Sequence, residues 1–282
     1  MRLQAIDDTC SSAAAALLAR GFPDRPTAFW EAALARLLAY GEVAKAGPIG
    51  QMMMVGDAPV GVILTIPSRR GEGSKARNVI NLSSWHVDEK HRWLAPRMLQ
   101  KIIADDAAIY TDLTPTPETK KINERLGFRT VGHGVMLFAL PWTALTGARD
   151  GRVLPFERIP PGALSPGDQL LLAHHRDLGC IAAALETEGR CEPLLFSLTR
   201  RYGMPVARLV FAGDRHRVGR SMAAIARFLL RRGALVLAIT PEGAQRLPGG
   251  VWCKQSDPVQ VRGEWERGRL DQTFSEFVFL RI

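Results

Sequence analysis

No stretch of this 282-residue sequence is apolar for long enough to cross a bilayer. Apolar runs such as Val135–Leu140 and Ala234–Thr240 fall far short of the ~20 residues that a spanning helix needs. The start, Met1-Arg2-Leu3-Gln4-Ala5-Ile6-Asp7-Asp8, lacks the basic residues and following apolar stretch of a secretory leader, and the nearby alanine run is flanked by polar residues, so a cytoplasmic protein is expected. Cysteine is scarce. Cys10, Cys180, Cys191 and Cys253 form no Cys-x-x-Cys pair and no Cys-x-x-His pair, which argues against a zinc site and against a disulfide framework and leaves buried thiols as the plain reading. His174-His175 has no metal-ligand partner at a useful spacing and reads as helix surface, so no metal is expected. No nucleic-acid module is present either. Trp252, Trp265, Phe274, Phe277 and Phe279 fit core and strand packing better than a base-stacking platform.

What the chain does have is apolar material for two cores, with 46% of its residues hydrophobic. Its net charge of +9 is carried mostly by arginine spread over both halves, a surface that suits anionic ligands without choosing among them.

The pattern from Pro26 to Tyr40 places Phe29, Ala33, Leu37 and Tyr40 on one helical face, with Gly41 as the expected stop. Gly50–Val55 and Ala58–Ile66 read as a hairpin turning at Gly56-Asp57, Arg69–Arg77 as an exposed basic loop, and Asn78–Val87 as an alternating strand. Leu94, Met98, Leu99, Ile102 and Ile103 predict a helix with Pro96 in its first turn, where a missing N–H is no loss. Ala107–Leu113 reads as a buried strand. Thr116-Pro117-Glu118 opens a second helix that ends at Gly127, and Phe128–Leu140 follows as one strand or two. The Gly- and Pro-rich stretch Thr143–Gly167 looks like a linker, with a boundary near Gly147–Gly151. Beyond it, Asp168–Glu188 reads as helical, Glu192–Thr199 and Pro205–Phe211 as paired strands, Val218 to Leu229 as a helix ending at Gly233, and Ala234–Thr240 as a strand.

There is a faint internal repeat. His91-Arg92 precedes a helix and then a strand running into Thr114-Pro115, and His216-Arg217 precedes a helix and then a strand running into Thr240-Pro241. Duplication of one fold would produce this, and so would chance.

The order α, β, β, β, α, β, α, β in residues 26–140 resembles the GNAT superfamily of acyl-CoA-dependent N-acyltransferases, and two stretches carry the likeness. Trp85–Leu99 resembles the family's strand, phosphate loop and following helix, in which backbone N–H groups hold the CoA pyrophosphate. The family's loop motif, Arg/Gln-x-x-Gly-x-Gly/Ala, falls on Arg92, Ala95 and Arg97, so Pro96 removes one donor and Arg97 either grips phosphate through its guanidinium or is a solvated helix residue. Thr116–Val131 resembles the final helix and its Tyr-x-x-x-Gly-Phe ending. Asn123 stands in for the tyrosine that protonates the departing thiolate, a role asparagine cannot fill, and Thr116 stands in for the family's asparagine.

The resemblance implies two GNAT-like domains in tandem, residues 1–147 and a degenerate 148–282, each an α/β domain with a central mixed sheet flanked by helices. It implies acyl-CoA, acetyl-CoA or another, as cosubstrate without a metal, along Val87, Arg92, Trp93, Leu94, Ala95, Arg97, Thr116 and Asn123. The implied activity is acyl transfer to an amine or hydroxyl of an unidentified small-molecule or macromolecular acceptor, the alternative being a non-catalytic binding or regulatory protein. Candidate bases are His86, otherwise a hydrogen-bonded strand histidine, and Asp112, otherwise a cap for the turn at Thr114-Pro115; Glu89 reads as a solvated loop carboxylate. In the second half Arg215, His216, Arg217 and Arg220 form a basic cluster that is either an anion site or solvated surface.

Overall fold

The structure is a computed structural model that describes residues 1–45, 47–71, 76–243, 246–266 and 268–281, with the side chains of 254–257 left aside. Its contacts divide into two compact units: Met1–Thr130 with Pro258–Trp265 and Phe274–Phe279, and Val131–Asp257 with Glu266–Thr273 and Leu280–Ile282. The division at Thr130/Val131 is not the expected boundary near Gly147–Gly151. The strand that follows Thr130 pairs inside the second unit, and the Gly- and Pro-rich stretch is partly structured.

The first unit runs β1 (Arg2–Ala5), α1 (Ser11–Gly21), α2 (Thr27–Ala44), β2 (Gly50–Val55), β3 (Ala58–Arg70), β4 (Arg77–Val87), a 3-10 helix at Glu89–Leu94, α3 (Ala95–Ile102), β5 (Ile109–Asp112) and α4 (Pro117–Arg125). Strands β1 to β4 pair antiparallel in chain order, and β5 lies parallel to β4. The hairpin turn at Gly56-Asp57 joins Val55 to its partner Ala58. Of the basic loop expected at Arg69–Arg77, residues 72–75 lie outside the described residues, and Arg70 and Arg77 are partners in the β3–β4 ladder.

After α4 the chain runs β6 (Arg129–Ala139), α5 (Leu140–Thr146), β7 (Arg152–Pro155), α6 (Pro166–Asp177), β8 (Ile181–Thr187), β9 (Arg190–Arg201), β10 (Met204–Ala212), α7 (Arg215–Arg220), α8 (Met222–Leu230), β11 (Val236–Ile239), β12 (Val251–Arg262) and β13 (Leu270–Asp271), which build the second unit except that the start of β6 and the end of β12, from Pro258, belong to the first. The short α9 (Glu276–Phe279) falls in the first unit. Here β7 to β10 pair antiparallel in chain order and β11 lies parallel to β10, the same succession of strand senses as β1 to β5. Each sheet then takes its next strand from the other part of the sequence. Gln260–Arg262 of β12 pair antiparallel with β5, and Met136–Ala139 of β6 pair antiparallel with β11.

The core of the first unit gathers Met53, Ile63, Leu82, Met98, Leu99, Tyr110 and Phe128; the α3 face expected from the 94–103 pattern supplies the helical share. The second unit's core gathers Phe138, Leu185, Phe196, Leu209, Ile225, Phe228 and Leu237. Emptying one of these positions to alanine costs about 2–5 kcal/mol.

Several expectations are corrected. Helix α2 passes through Gly41 and ends at Lys45, in the left-handed region at φ 46°. Gly41 is a close-packing position, since a Cβ there would meet Ile49 Cγ2 at 3.0 Å. The segment Asp168–Glu188 is not one helix. Gly179, at φ 86°, turns the chain, and the apolar run from Ile181 becomes a strand because β9 offers it a ladder. His175 is no surface residue: it is fully buried and its Nδ1 bonds the Leu171 carbonyl at 2.9 Å. Of the cysteines, Cys10 and Cys180 are buried and the other two half-buried; burial pushes the Cys180 thiol up to about 12.

Candidate functional site

Strands β4 and β5 are paired only from Val79/Ile109 to Leu82/Asp112. Beyond that point β4 continues to Val87, and among the described residues no strand takes its vacated edge. Just there, the β3–β4 register shifts between Val62 and Leu64, so β4 carries an extra residue, and Ser84 adopts a left-handed φ of 50°. A bulge of this kind re-aims the backbone beside it. Asp88 N–H donates to the Val60 carbonyl at 2.9 Å. Because amides alternate sides along a strand, the Val87 N–H points away from β3, into the gap that β5 leaves.

His86 shares its face of β4 with Asn81, toward α1. Its ring packs on Gly21 so closely that a Cβ there would lie 2.4 Å from the imidazole, which is why α1 ends in a glycine at that place. Nε2 lies 3.2 Å from Asp88 Oδ1, and Asp88 in turn pairs with Arg20 at 3.3 Å. These contacts tie the end of α1 to the end of β4.

Asp112 ends β5 and is buried. Asn123 Nδ2 donates to Asp112 Oδ2 and to Gln260 Oε1, each at 2.9 Å, and Gln260 Nε2 donates to the Lys120 carbonyl at 3.4 Å. Asn123 and Gln260 are fully buried. On the opposite face of the same strands, Asn81 Nδ2 donates to Thr111 Oγ1 at 3.1 Å, its Oδ1 accepts from Glu276 N–H at 3.3 Å, and Thr114 Oγ1 donates to Glu276 Oε1 at 3.2 Å. The structure thus brings Asp112 and Asn123, which the sequence reading named, together with Gln260 on one face of β5, and builds a separate network of Asn81, Thr111, Thr114 and Glu276 on the other; Asn81, Gln260 and Glu276 were missed. The signal for Gln260 was faint: a polar residue between the buried Val259 and Val261.

The expected phosphate loop is a helix. Asp88 precedes the 3-10 turn, the Ala95 N–H donates to the Arg92 carbonyl, and the chain runs directly into α3 with Pro96 in its first turn. Leu94 and Ala95 face the core. Arg92, Pro96 and Arg97 are exposed, and Trp93 is 74% exposed. Thr116 is the N-cap of α4, its Oγ1 accepting from Thr119 N–H at 3.3 Å.

In the second unit the matching edge is filled. Beyond Arg208, β10 loses β11, and β13 pairs there instead through Phe211/Asp271 and Ala212/Leu270, with Gln272 N–H on the Val210 carbonyl at 2.8 Å. The three arginines of the basic cluster beside it are paired with carboxylates, while His216 is exposed. Arg215 bonds the Thr240 carbonyl and lies 3.8 Å from Glu242; Arg217 meets Glu192 at 3.0 Å and Asp214 at 3.7 Å; Arg220 meets Glu188 at 3.3 Å and Asp150 at 3.6 Å. Burial outweighs Glu242 and lowers Arg215 to about 10. Among the described residues no group of His, Cys, Asp and Glu has the arrangement of a metal site, and no helix is long and apolar enough to cross a membrane.

No model of a known protein family matches the sequence, and no curated protein matches it. Solved structures do match. The GCN5-related N-acetyltransferase of Anabaena variabilis superposes with a TM-score of 0.57 at 10% identity, over 92% of this chain and 72% of that one. The GCN5-related N-acetyltransferase of Kribbella flavida gives 0.53 at 15% identity over 92% and 70%, and Eis1 of Mycobacterium abscessus gives 0.51 at 12% over 93% and 73%. The chain has the GNAT fold.

Proposed function

We propose that this protein is an acyl-CoA-dependent acyltransferase whose first unit binds the thioester and moves its acyl group, acetyl in the simplest case, to an amine or hydroxyl of an acceptor. The observation that carries this reading is the parting of β4 from β5 at Leu82/Asp112 beside the Ser84 bulge, which turns the Val87 N–H toward the opening. A backbone donor held there suits the thioester carbonyl, whose oxygen gains negative charge as the acceptor attacks. The GNAT fold supports the cosubstrate, and the reading places the protein in the cytoplasm.

Proton handling falls to Asp112 in this reading. His86 is held between Gly21 and Asp88, whereas Asp112 stands at the end of β5 where the strands part, in contact with Asn123 at the place of the thiolate acid. As the acceptor nitrogen or oxygen bonds the acyl carbon, the carbon–sulfur bond breaks and the thiolate leaves; the acceptor's proton has to be taken up and the thiolate protonated. Thr116 is assigned to the cap of α4 first, with any contact to the pantetheine arm secondary. The second unit is read as a degenerate copy, because it repeats the strand senses of the first while β13 fills the edge that stays open in β4.

A second reading, a binding protein without turnover, is favoured by one observation: Asn123 is locked into a buried network and has no proton to give. Calorimetric titration of the full chain with acetyl-CoA, followed by thiol release in the presence of a panel of amines, separates the two. Binding with turnover that Asp112→Asn abolishes supports the enzyme. Binding without turnover across the panel supports the second reading, and absence of binding overturns both.

A further inference from the structure

The two ends of the second unit's sheet treat arginine differently. Where β10 gives way to α7, Arg215, Arg217 and Arg220 each meet a carboxylate. At the opposite end three segments converge. Strands β9 and β10 turn through Tyr202-Gly203, at positive φ of 51° and 77°, with Arg201 opposite Met204 and Arg200 opposite Pro205 in the ladder. Leu235 N–H donates to the Pro205 carbonyl and Leu140 N–H to the Leu235 carbonyl, each at 2.9 Å, which brings the chain leaving α8 and the start of α5 to the same place. Residues 140–146, 199–205 and 227–236 together hold five arginines and no aspartate or glutamate. Among the described residues Arg200, Arg201 and Arg231 meet no carboxylate; Arg227 donates to the Ala144 carbonyl, and Arg232, stacked on Phe228, has Glu157 nearby. The same segments expose large apolar side chains. Tyr202 stands fully exposed at the hairpin tip with Met204 and Leu235 beside it, and Trp142 and Leu145, three apart on one face of α5, are 65% and 68% exposed. Clustered apolar groups of this size mark a surface that something covers.

We propose that this end of the second unit docks on an anionic bilayer surface, its unpaired arginines on lipid phosphates and Trp142, Tyr202, Met204 and Leu235 entering the headgroup layer. Charge decides among the occupants. A second copy of the chain in a two-fold contact would set one group of arginines against the other without a carboxylate between them. A nucleic acid would satisfy the arginines but gives Leu145, Met204 and Leu235 nothing to bury against. A bilayer carrying acidic lipids meets both demands, because phosphates lie at its surface, and the boundary beneath them accepts indole, phenol and aliphatic groups.

The probes are vesicles of phosphatidylcholine alone and of phosphatidylcholine with about 30% phosphatidylglycerol, sedimented with the full chain at about 0.1 M salt. The chain is expected to sediment with the anionic vesicles and to stay in solution with the neutral ones. Arg200→Gln/Arg201→Gln/Arg231→Gln should weaken that binding on the order of a hundredfold, each surface arginine being worth about fivefold. Lys101→Gln/Lys121→Gln/Arg125→Gln removes as many exposed cations from the first unit and should change it by less than about threefold. Tryptophan emission should shift to the blue on anionic vesicles, and Trp142→Phe should remove most of that shift. All the replaced side chains are exposed, so the variants melt as the wild type does, which circular dichroism checks. Absence of sedimentation with anionic vesicles overturns the inference, as does equal weakening by the two triple variants, which would make net charge the cause. Binding of single-stranded RNA through the same three arginines, without vesicle binding, overturns it in favour of a nucleic acid. A dimer in light scattering that Leu235→Asp disperses, again without vesicle binding, overturns it in favour of a second copy. Acetyl-CoA binding is measured separately, so the acyl-CoA reading stands or falls on its own.

Discussion

Both units set a basic cluster where a sheet strand gives way to a helix, after β4 in the first and after β10 in the second, and the clusters differ in what neutralises them. After β10, Arg215, Arg217 and Arg220 each meet at least one carboxylate, and β13 lies along the edge that β11 leaves. After β4, Lys90, Arg92 and Arg97 face solvent, and among the described residues no strand takes the edge beyond Leu82. The same strand senses therefore support two different physical states. A charge already paired in the fold contributes to stability and has little left for a ligand. A charge left unpaired contributes little to stability and keeps its capacity for an incoming anion.

The largest expected effect tests whether the late segment belongs to the first unit's sheet. Val261 is fully buried and pairs with Thr111 on β5. Val261→Asp places an unpaired charge in that sheet and should cost about 4–5 kcal/mol or more, read from urea unfolding, with acetyl-CoA binding lost although residue 261 is far in sequence from 87–97. Wild-type stability in this variant would show that Gln260–Arg262 is not a strand of the site's sheet.

Next comes the contrast between the clusters themselves. Arg215→Ala removes a nearly buried guanidinium from Glu242 and from the Thr240 carbonyl and should lower stability by about 3 kcal/mol. Arg97→Ala should change it by less than about 0.5 kcal/mol. Equal losses, measured under the same denaturant, would erase the distinction between paired and unpaired arginines.

Much of the local structure was legible in the sequence. The Gly56-Asp57 turn, the Thr116 cap and the α3 face are set by residues within a few positions of one another, and the structure forms each of them. What was illegible depends on distant partners. Helix α1 has only an alanine-rich run to announce it. The apolar run from Ile181 fits a helix or a strand until β9 pairs with it. Nothing near Gln260 or Glu276 indicates that they complete the two networks on opposite faces of β5, because the partners are more than a hundred residues away. Asp112 and Asn123 were each found separately, but the hydrogen bond between them follows from how α4 packs on β5.

Asn123 offers a smaller effect with a sharper reading. Asn123→Ala leaves Asp112 and Gln260 each short of a buried hydrogen bond and should cost about 2 kcal/mol. Asn123→Tyr, which would put at this position the phenol that the GNAT motif carries, should destabilise by about 1–3 kcal/mol because the site is fully buried and already filled. A tyrosine variant as stable as the wild type would mean that the network is looser than its 2.9 Å contacts imply.

The smallest effect separates a cap from a ligand contact at Thr116. As the N-cap of α4, its hydroxyl accepts from Thr119 N–H, and Thr116→Ala should cost about 1 kcal/mol. Aspartate caps as well as threonine and favours the helix dipole, so Thr116→Asp should keep wild-type stability. The two variants part on binding. If the hydroxyl only caps, acetyl-CoA affinity is unchanged in both once stability is accounted for. A hydroxyl that also donates to the pantetheine arm is lost in both, and Thr116→Asp then weakens binding while the fold stays intact, because a carboxylate accepts hydrogen bonds and has none to donate. Loss of affinity in the stable aspartate variant would make Thr116 a contact residue as well as a cap.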